Sequence, residues 1–298
     1  MRNLLSQSEQ LRRTYRWIKR NLRKAWDYLY LIPVPNMMAR PQADVTVCLT
    51  SYPPRIGWSA AAIESMRRQT QPPRRIVLTL WKDDFPDRVL PRNIHLLVAR
   101  GVEILWTDEN YRSFGKLIPI RAISPNETIV TIDDDNLYRR DFLEGLSSAS
   151  QENPGTIIGY RGWALRVAEG RIAPYRSLAP AGPSTPSDLT FLTGVGGILY
   201  PPASLPVEEL MDITTAQRVC PTADDIWFWA MARRKATPTL CLGLPRDPFR
   251  QIEALHDGPC LNTHNVLGGH NDRQIAQAVG EFDLWRRLET AQLGRSDS

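Results

Sequence analysis

The chain has 298 residues, 42% of them hydrophobic and 23% charged, with a formal net charge of +5. That composition excludes a disordered chain and leaves room for one large domain or two small ones. No run of about 18 apolar residues occurs, which excludes a membrane-spanning helix, and the start lacks the apolar core of a signal peptide.

The positive charge is concentrated at the start. Residues 1–30 carry eight Lys/Arg against Glu9 and Asp27, whereas the other 268 residues carry 29 basic and 30 acidic side chains. A nucleic-acid binder would spread basic groups over its body, so no nucleic-acid partner is expected. Within this arm Leu11, Tyr15, Ile18, Leu22, Ala25 and Leu29 recur at steps of four and three, the stripe of an amphipathic helix. Arg12, Arg13, Arg16, Lys19, Arg20, Arg23 and Lys24 fill its other faces, with Trp17 and Trp26 nearby. Pro33 and Pro35 end the helix and open a linker, so residues 1–40 form a unit of their own. Two uses are open: packing the stripe on the domain or a second subunit, or laying it on an anionic membrane surface. The four cysteines, Cys48, Cys220, Cys241 and Cys260, form no C-x-x-C pair and favour a reducing compartment.

From residue 41 onward strands alternate with helices. Val45–Thr50 reads as a buried strand, followed by the turn Ser51-Tyr52-Pro53-Pro54-Arg55 and a helix that Ser59 can cap through about Arg68. Arg75–Trp81 is the next strand, ending at Lys82-Asp83-Asp84. A helix near Arg92–Ala99 leads to the strand Val102–Trp106, Phe114–Ile123 reads as helix, and Glu127–Ile132 as a fourth strand. Such alternation implies an α/β fold with an open, mostly parallel sheet, whose ligands sit beyond the C-terminal strand ends. Each polar cluster falls at such an end: Ser51–Arg55, Lys82–Asp84, Thr107–Asn110 and Asp133–Asp135.

The fourth strand ends in three consecutive carboxylates, Asp133-Asp134-Asp135, followed by Asn136-Leu137-Tyr138. Like charges side by side repel and are costly to bury unpaired. Gathered around a hard cation, Mn²⁺ or Mg²⁺, they could in turn hold a phosphate. Neither G-x-G-x-x-G nor G-x-x-x-x-G-K-[ST] occurs, so phosphate is not held in the Rossmann or P-loop manner.

The strand running into Thr50-Ser51-Tyr52-Pro53-Pro54-Arg55, the segment Phe114-Gly115-Lys116-Leu117-Ile118-Pro119 and the run Thr131–Tyr138 together resemble GT-A-fold glycosyltransferases of the family-2-like kind. The similarity covers roughly residues 44–230, with a trace at Asn271-Asp272. It implies a GT-A-like, open, mostly parallel mixed sheet flanked by helices, behind the N-terminal amphipathic helix. It also implies that Thr50, Ser51, Tyr52, Arg55 and Asp83 or Asp84 hold a nucleotide, with Lys116 facing it. The triplet would be the D-x-D motif, Asp133 and Asp134 beside the nucleotide and Asp133 and Asp135 on a Mn²⁺ or Mg²⁺ that bridges the diphosphate. A late histidine, His270 or else His264, would add a metal ligand.

In the second half, residues 171–190 read as a long loop, and Phe191–Tyr200 as a strand interrupted by glycines. Gly196 and Gly197 border the donor sugar and acceptor in the resembling family, and packing is the alternative for each. Thr222 reads as an N-cap, with Asp224 and Asp225 in the first helical turn, where carboxylates favour the dipole. One of the two, Asp225 before Asp224, would otherwise be the general base that takes a proton from an acceptor hydroxyl. Trp227 could stack on a sugar face or fill the core.

These readings converge on a metal-dependent, inverting hexosyltransferase acting in surface polysaccharide or glycolipid synthesis. Its donor would be a nucleotide diphosphate-sugar, with a UDP-sugar expected, and its acceptor a glycan or lipid-linked molecule. The enzyme would be cytoplasmic and peripheral on the inner face of the membrane. A single domain would span 41–286, its nucleotide-binding half at about 41–150 and its acceptor half at about 151–286, before a polar tail at 287–298. One rival is a non-catalytic glycan-binding protein of the same fold. The other is a Mg-dependent phosphohydrolase of the haloacid-dehalogenase type, whose Asp-x-Asp belongs on the first strand rather than the fourth.

Overall fold

The computed structural model describes residues 2–32, 41–183, 185–244, 248–255 and 263–296. The expected linker over 33–40, His256 and Cys260 lie outside the described residues, as does the side chain of His264.

The four expected strands are β1 (Ala43–Thr50), β2 (Pro73–Trp81), β3 (Glu103–Thr107) and β4 (Ile129–Thr131). They are followed by β5 (Asn136–Tyr138), β6 (Ile157–Gly159), β7 (Gly162–Ala164), β8 (Thr190–Leu192), β9 (Ile198–Tyr200), β10 (Thr239–Cys241) and β11 (Phe249–Gln251). One seven-stranded sheet runs in the order β10-β6-β9-β4-β1-β2-β3 and takes strands from both halves of the chain. All pairings in it are parallel except those of β9, which lies antiparallel between β4 and β6. The open, mostly parallel mixed sheet flanked by helices is therefore the observed architecture. β1 reads as a nearly continuous apolar run because helices cover both its faces. Val45, Val47 and Leu49 enter one core with Ile63, Met66 and Leu143, while Cys48 enters the other with Phe114, Ile118 and Phe228.

The helices are α1 (Arg2–Tyr30), α2 (Ile56–Arg67), α3 (Arg92–Val98), α4 (Ile118–Ile123), α5 (Phe142–Glu152), α6 (Asp224–Arg234), α7 (His270–Glu281) and α8 (Trp285–Ser296); two further short ones, Val207–Leu210 and Ile213–Val219, lie between β9 and α6. Three local expectations are corrected. Ser59 is not a cap: α2 begins at Ile56, and the Ser59 hydroxyl donates to the Ile56 carbonyl within the helix. The helix expected over Phe114–Ile123 is a 3-10 turn, Arg112–Lys116, followed by the short α4 with Pro119 in its first turn. Pro119 suits a helix start, where no amide hydrogen bond is lost. Of the polar tail expected over 287–298, residues 287–296 continue α8, where Leu288 is fully buried and Gln292 accepts from the Val167 amide at 3.1 Å.

Buried Arg121 ties the two halves of the sheet. It donates to the carbonyls of Glu127 (2.9 Å) and Tyr200 (3.0 Å), at the start of β4 and the end of β9. A guanidinium has five donors in a fixed fork and can close several chain ends at once. Beyond the sheet, β5 pairs antiparallel with β11, placing Asn136 opposite Gln251 immediately after the acidic triplet.

Candidate active site

The C-terminal ends of β1, β4 and β6 open into a cleft of about 570 Å³, within the range of small-molecule sites. Its lining carries five carboxylates, Asp133, Asp134, Asp135, Asp224 and Asp225, against three cationic side chains, Arg55, Lys116 and Arg161.

On one side lies the triplet. Ser51 Oγ donates to Asp134 Oδ2 at 2.6 Å, and Arg55 Nη1 reaches Asp134 Oδ1 at 3.4 Å and Asp135 Oδ2 at 3.0 Å. Asn136 Nδ2 donates to the other oxygen of Asp135 at 2.7 Å. Burial raises the Asp134 carboxyl above its ordinary range, although Ser51 and Arg55 pull against it. Burial together with the charges of Asp133 and Asp134 pushes Asp135 up to about 6.

Across the cleft the pair Asp224-Asp225 opens α6. Lys116 bridges the two groups: its Nζ is 2.7 Å from Asp133 Oδ1 and 2.9 Å from Asp224 Oδ2. Burial works against the ammonium, but Asp133, Asp224 and Asp225 outweigh it and hold Lys116 charged. Asp225 Oδ1 has no hydrogen-bond partner. Burial, and next the charge of Asp224, push its carboxyl up to about 7. The loop entering β9 packs tightly here. A Cβ on Gly194 would lie 2.7 Å from both Asp225 Oδ1 and Lys116 Nζ, so a side chain there would displace one of these groups.

The structure thus brings together Thr50, Ser51, Arg55, Lys116, Asp133, Asp134, Asp135, Asp224 and Asp225. It does not bring in several others. Asp83 is exposed and Asp84 half-buried on a 3-10 turn after β2, and neither lines the cleft. Tyr52 is half exposed beneath the Arg55 guanidinium, 5.8 Å from its ring centre, outside the lining. Trp227 is core: it is 1% exposed and its indole N–H donates to the Leu210 carbonyl at 3.3 Å, so no sugar can stack on it. Gly196 and Gly197 serve packing. A Cβ on Gly196 would meet the Arg161 backbone nitrogen at 2.8 Å, and one on Gly197, at φ +68°, the Phe142 ring at 2.3 Å. His270 begins α7 but is not part of the lining, whereas Asn271 beside it is. Thr222 does not cap α6; its hydroxyl bonds Asn265 at 2.6 Å instead.

Arg161, Tyr175, Phe191, Thr193 and Gln251 line the cleft without having been singled out in the sequence. Arg161 follows the three-residue strand β6. The apolar Ile157-Ile158 with a polar residue just beyond it is a fifth strand end of the kind noted for the other four.

A divalent cation fits this donor set by charge: carboxylates outnumber cations five to three. Among the described residues no three Asp, Glu, His or Cys groups are arranged to hold a metal ion by themselves. Substrate oxygens and water would therefore have to complete the shell.

No protein-family model matches the sequence, and no curated protein matches it. Among solved structures, S. aureus TarS 1-349 is 13% identical with a TM-score of 0.44, over 78% of this chain and 72% of that one. CTP:phosphocholine cytidylyltransferase from Streptococcus pneumoniae is 13% identical at 0.42, over 74% and 96%. A mannose-1-phosphate geranyltransferase from Thermus thermophilus is 13% identical at 0.41, over 70% and 76%. These likenesses are too faint to carry a function.

Proposed function

We propose that the chain is a metal-dependent glycosyltransferase. It moves a sugar from a nucleotide diphosphate-sugar, a UDP-sugar in the first instance, to a glycan or lipid-linked acceptor, with inversion. The observation that carries this reading is the division of the cleft. An acidic triplet tied to Arg55 and Ser51 faces a separate acidic pair across one lysine.

Asp133 and Asp135 would hold Mn²⁺ or Mg²⁺, which supplies positive charge where the leaving diphosphate develops negative charge. Arg55 and Ser51 orient the triplet for that task. Asp225, raised to about 7, suits a general base near neutral pH and would accept the acceptor's hydroxyl proton at Oδ1. Lys116 lies between Asp133 and Asp224 and keeps the two acidic groups from repelling.

Titration calorimetry with a nucleoside diphosphate and Mn²⁺ tests the assignment. Asp133→Ala and Asp135→Ala should each abolish Mn²⁺-dependent binding. Unchanged affinity in both variants would overturn it.

A further inference from the structure

The amphipathic stripe of α1 does not pack on the domain. Tyr15 is 65% exposed, Leu22 59% and Trp26 62%, and Ile18, Ala25 and Leu29 are exposed with them. The line that packs is the opposite one. At 3.6 residues per turn, Arg20, Lys24, Asp27 and Leu31 fall about half a turn from the stripe. Together with Tyr30, these four are the half-buried or buried positions between residues 17 and 32.

That docked line is pinned at several points. Asp27 is fully buried, lies 2.6 Å from Arg250 Nη1, and accepts from the Glu253 amide at 2.7 Å. Arg20 and Arg23 face Glu253 at 3.4 and 3.9 Å. Arg68, just after α2, donates to the carbonyls of Leu29 and Ile32 at 3.1 and 3.0 Å, closing the helix end. The segment so clamped is part of the cleft. Phe249 and Gln251 line it on either side of Arg250, and the Ile252 amide donates to the Asp135 carbonyl at 2.8 Å.

An exposed apolar stripe bordered by Trp26, with Lys19 and Arg12 exposed beside it and a +6 balance over residues 1–30, has the make-up of an interfacial helix. A second copy would bring two arms of the same sign together, whereas an anionic surface attracts this one. Among the described residues no helix is long and apolar enough to cross a membrane.

We infer that α1 lays its Tyr15–Leu29 stripe into the headgroup region of an anionic bilayer while its polar side stays clamped to the cleft wall through Asp27. The inference does not depend on the transferase reading. Flotation of the full chain tests it, with vesicles of phosphatidylcholine alone and of phosphatidylcholine mixed with phosphatidylglycerol. The protein should float with the mixed vesicles only, and its tryptophan emission should shift to the blue. A Leu22→Glu, Trp26→Ala variant should lose more than about tenfold in vesicle affinity, since it removes two of the large exposed apolar side chains and puts a negative charge in the stripe. Its melting temperature should be unchanged, because both side chains are exposed. Hydrogen exchange at the Glu253 amide should stay slow on the vesicle. Equal flotation of variant and wild type would overturn the proposal. So would a concentration-dependent dimer that the variant dissolves while wild type ignores anionic vesicles. Fast exchange at Glu253 in the bound protein would overturn the clamp.

Discussion

The cleft and the N-terminal helix break the usual burial rule in opposite directions. The cleft gathers five carboxylates around three cations, whereas α1 docks its polar line and leaves tryptophan, tyrosine and leucine in water. Ordinarily buried charge is paired and an extended apolar stripe is covered. Each departure is tolerated because neighbours partly compensate: Lys116 and Arg55 in the cleft, and the Asp27–Arg250 clamp under the helix. What is left over differs in kind. The cleft has an excess of negative charge, which the proposed function matches with a cation and a diphosphate, while the helix has apolar area flanked by positive charge, which we assign to an anionic surface.

Breaking the cleft should have the larger consequences. Replacing Asp225 by Asn should lower turnover by about 10²–10⁴-fold, the usual worth of a general base, while leaving nucleotide binding within a few-fold. Measured by single-turnover kinetics and calorimetry, equal loss of both would place Asp225 in donor binding instead. Lys116→Met comes next. It leaves Asp133, Asp224 and Asp225 without their shared cation, and removing one partner of a buried ion pair costs about 3–5 kcal/mol. A denaturant melt should show that loss, with recovery on adding a divalent cation.

A smaller effect follows from the raised carboxyls. Asp135 and Asp225 sit at about 6 and about 7 in the folded chain, above the ordinary aspartate value of 3.8. Between that value and about 7 the native state binds protons that the unfolded chain has released. Stability of the metal-free protein should therefore fall as pH rises through this window. A divalent cation should remove the dependence by favouring the ionised forms. Thermal melts from about pH 5 to about pH 8 read this directly, and a rise in stability over that range would contradict it. Smallest of all, Leu22→Ala and Trp26→Ala on α1 should move stability by no more than about 0.5 kcal/mol, as exposed positions do. A loss of several kcal/mol would mean that the stripe is covered after all.

The same two regions differ in how far they can be read from sequence. The triplet is contiguous and follows a strand of β-branched residues, so its place at a strand end is legible. The pair at the start of α6 is also contiguous, and acidic residues before an apolar run mark a helix start. Arg161 and Gln251 reach the cleft from strands of three residues, β6 and β11, too short to show any periodicity. Lys116 is visible as a basic residue, but the chain alone does not say that it sits between two acidic groups 17 and 108 positions away. Trp227 and Gly197 read equally well as ligand contacts or packing, and only their neighbours Leu210 and Phe142 decide. On α1 the stripe itself is plain in the steps of four and three. Periodicity reports that a helix has two faces, not which one the domain takes, and here a buried Asp27 takes the polar face inward.

The central claim is that the acidic cleft binds a nucleoside diphosphate together with a divalent cation. A thermal-shift series on the full chain tests it most directly, comparing uridine, guanosine, adenosine and cytidine diphosphates with and without Mn²⁺. Marked stabilisation by one nucleotide is expected, only when Mn²⁺ is present and growing with its concentration. Equal stabilisation with and without metal, or none by any nucleotide, would contradict it.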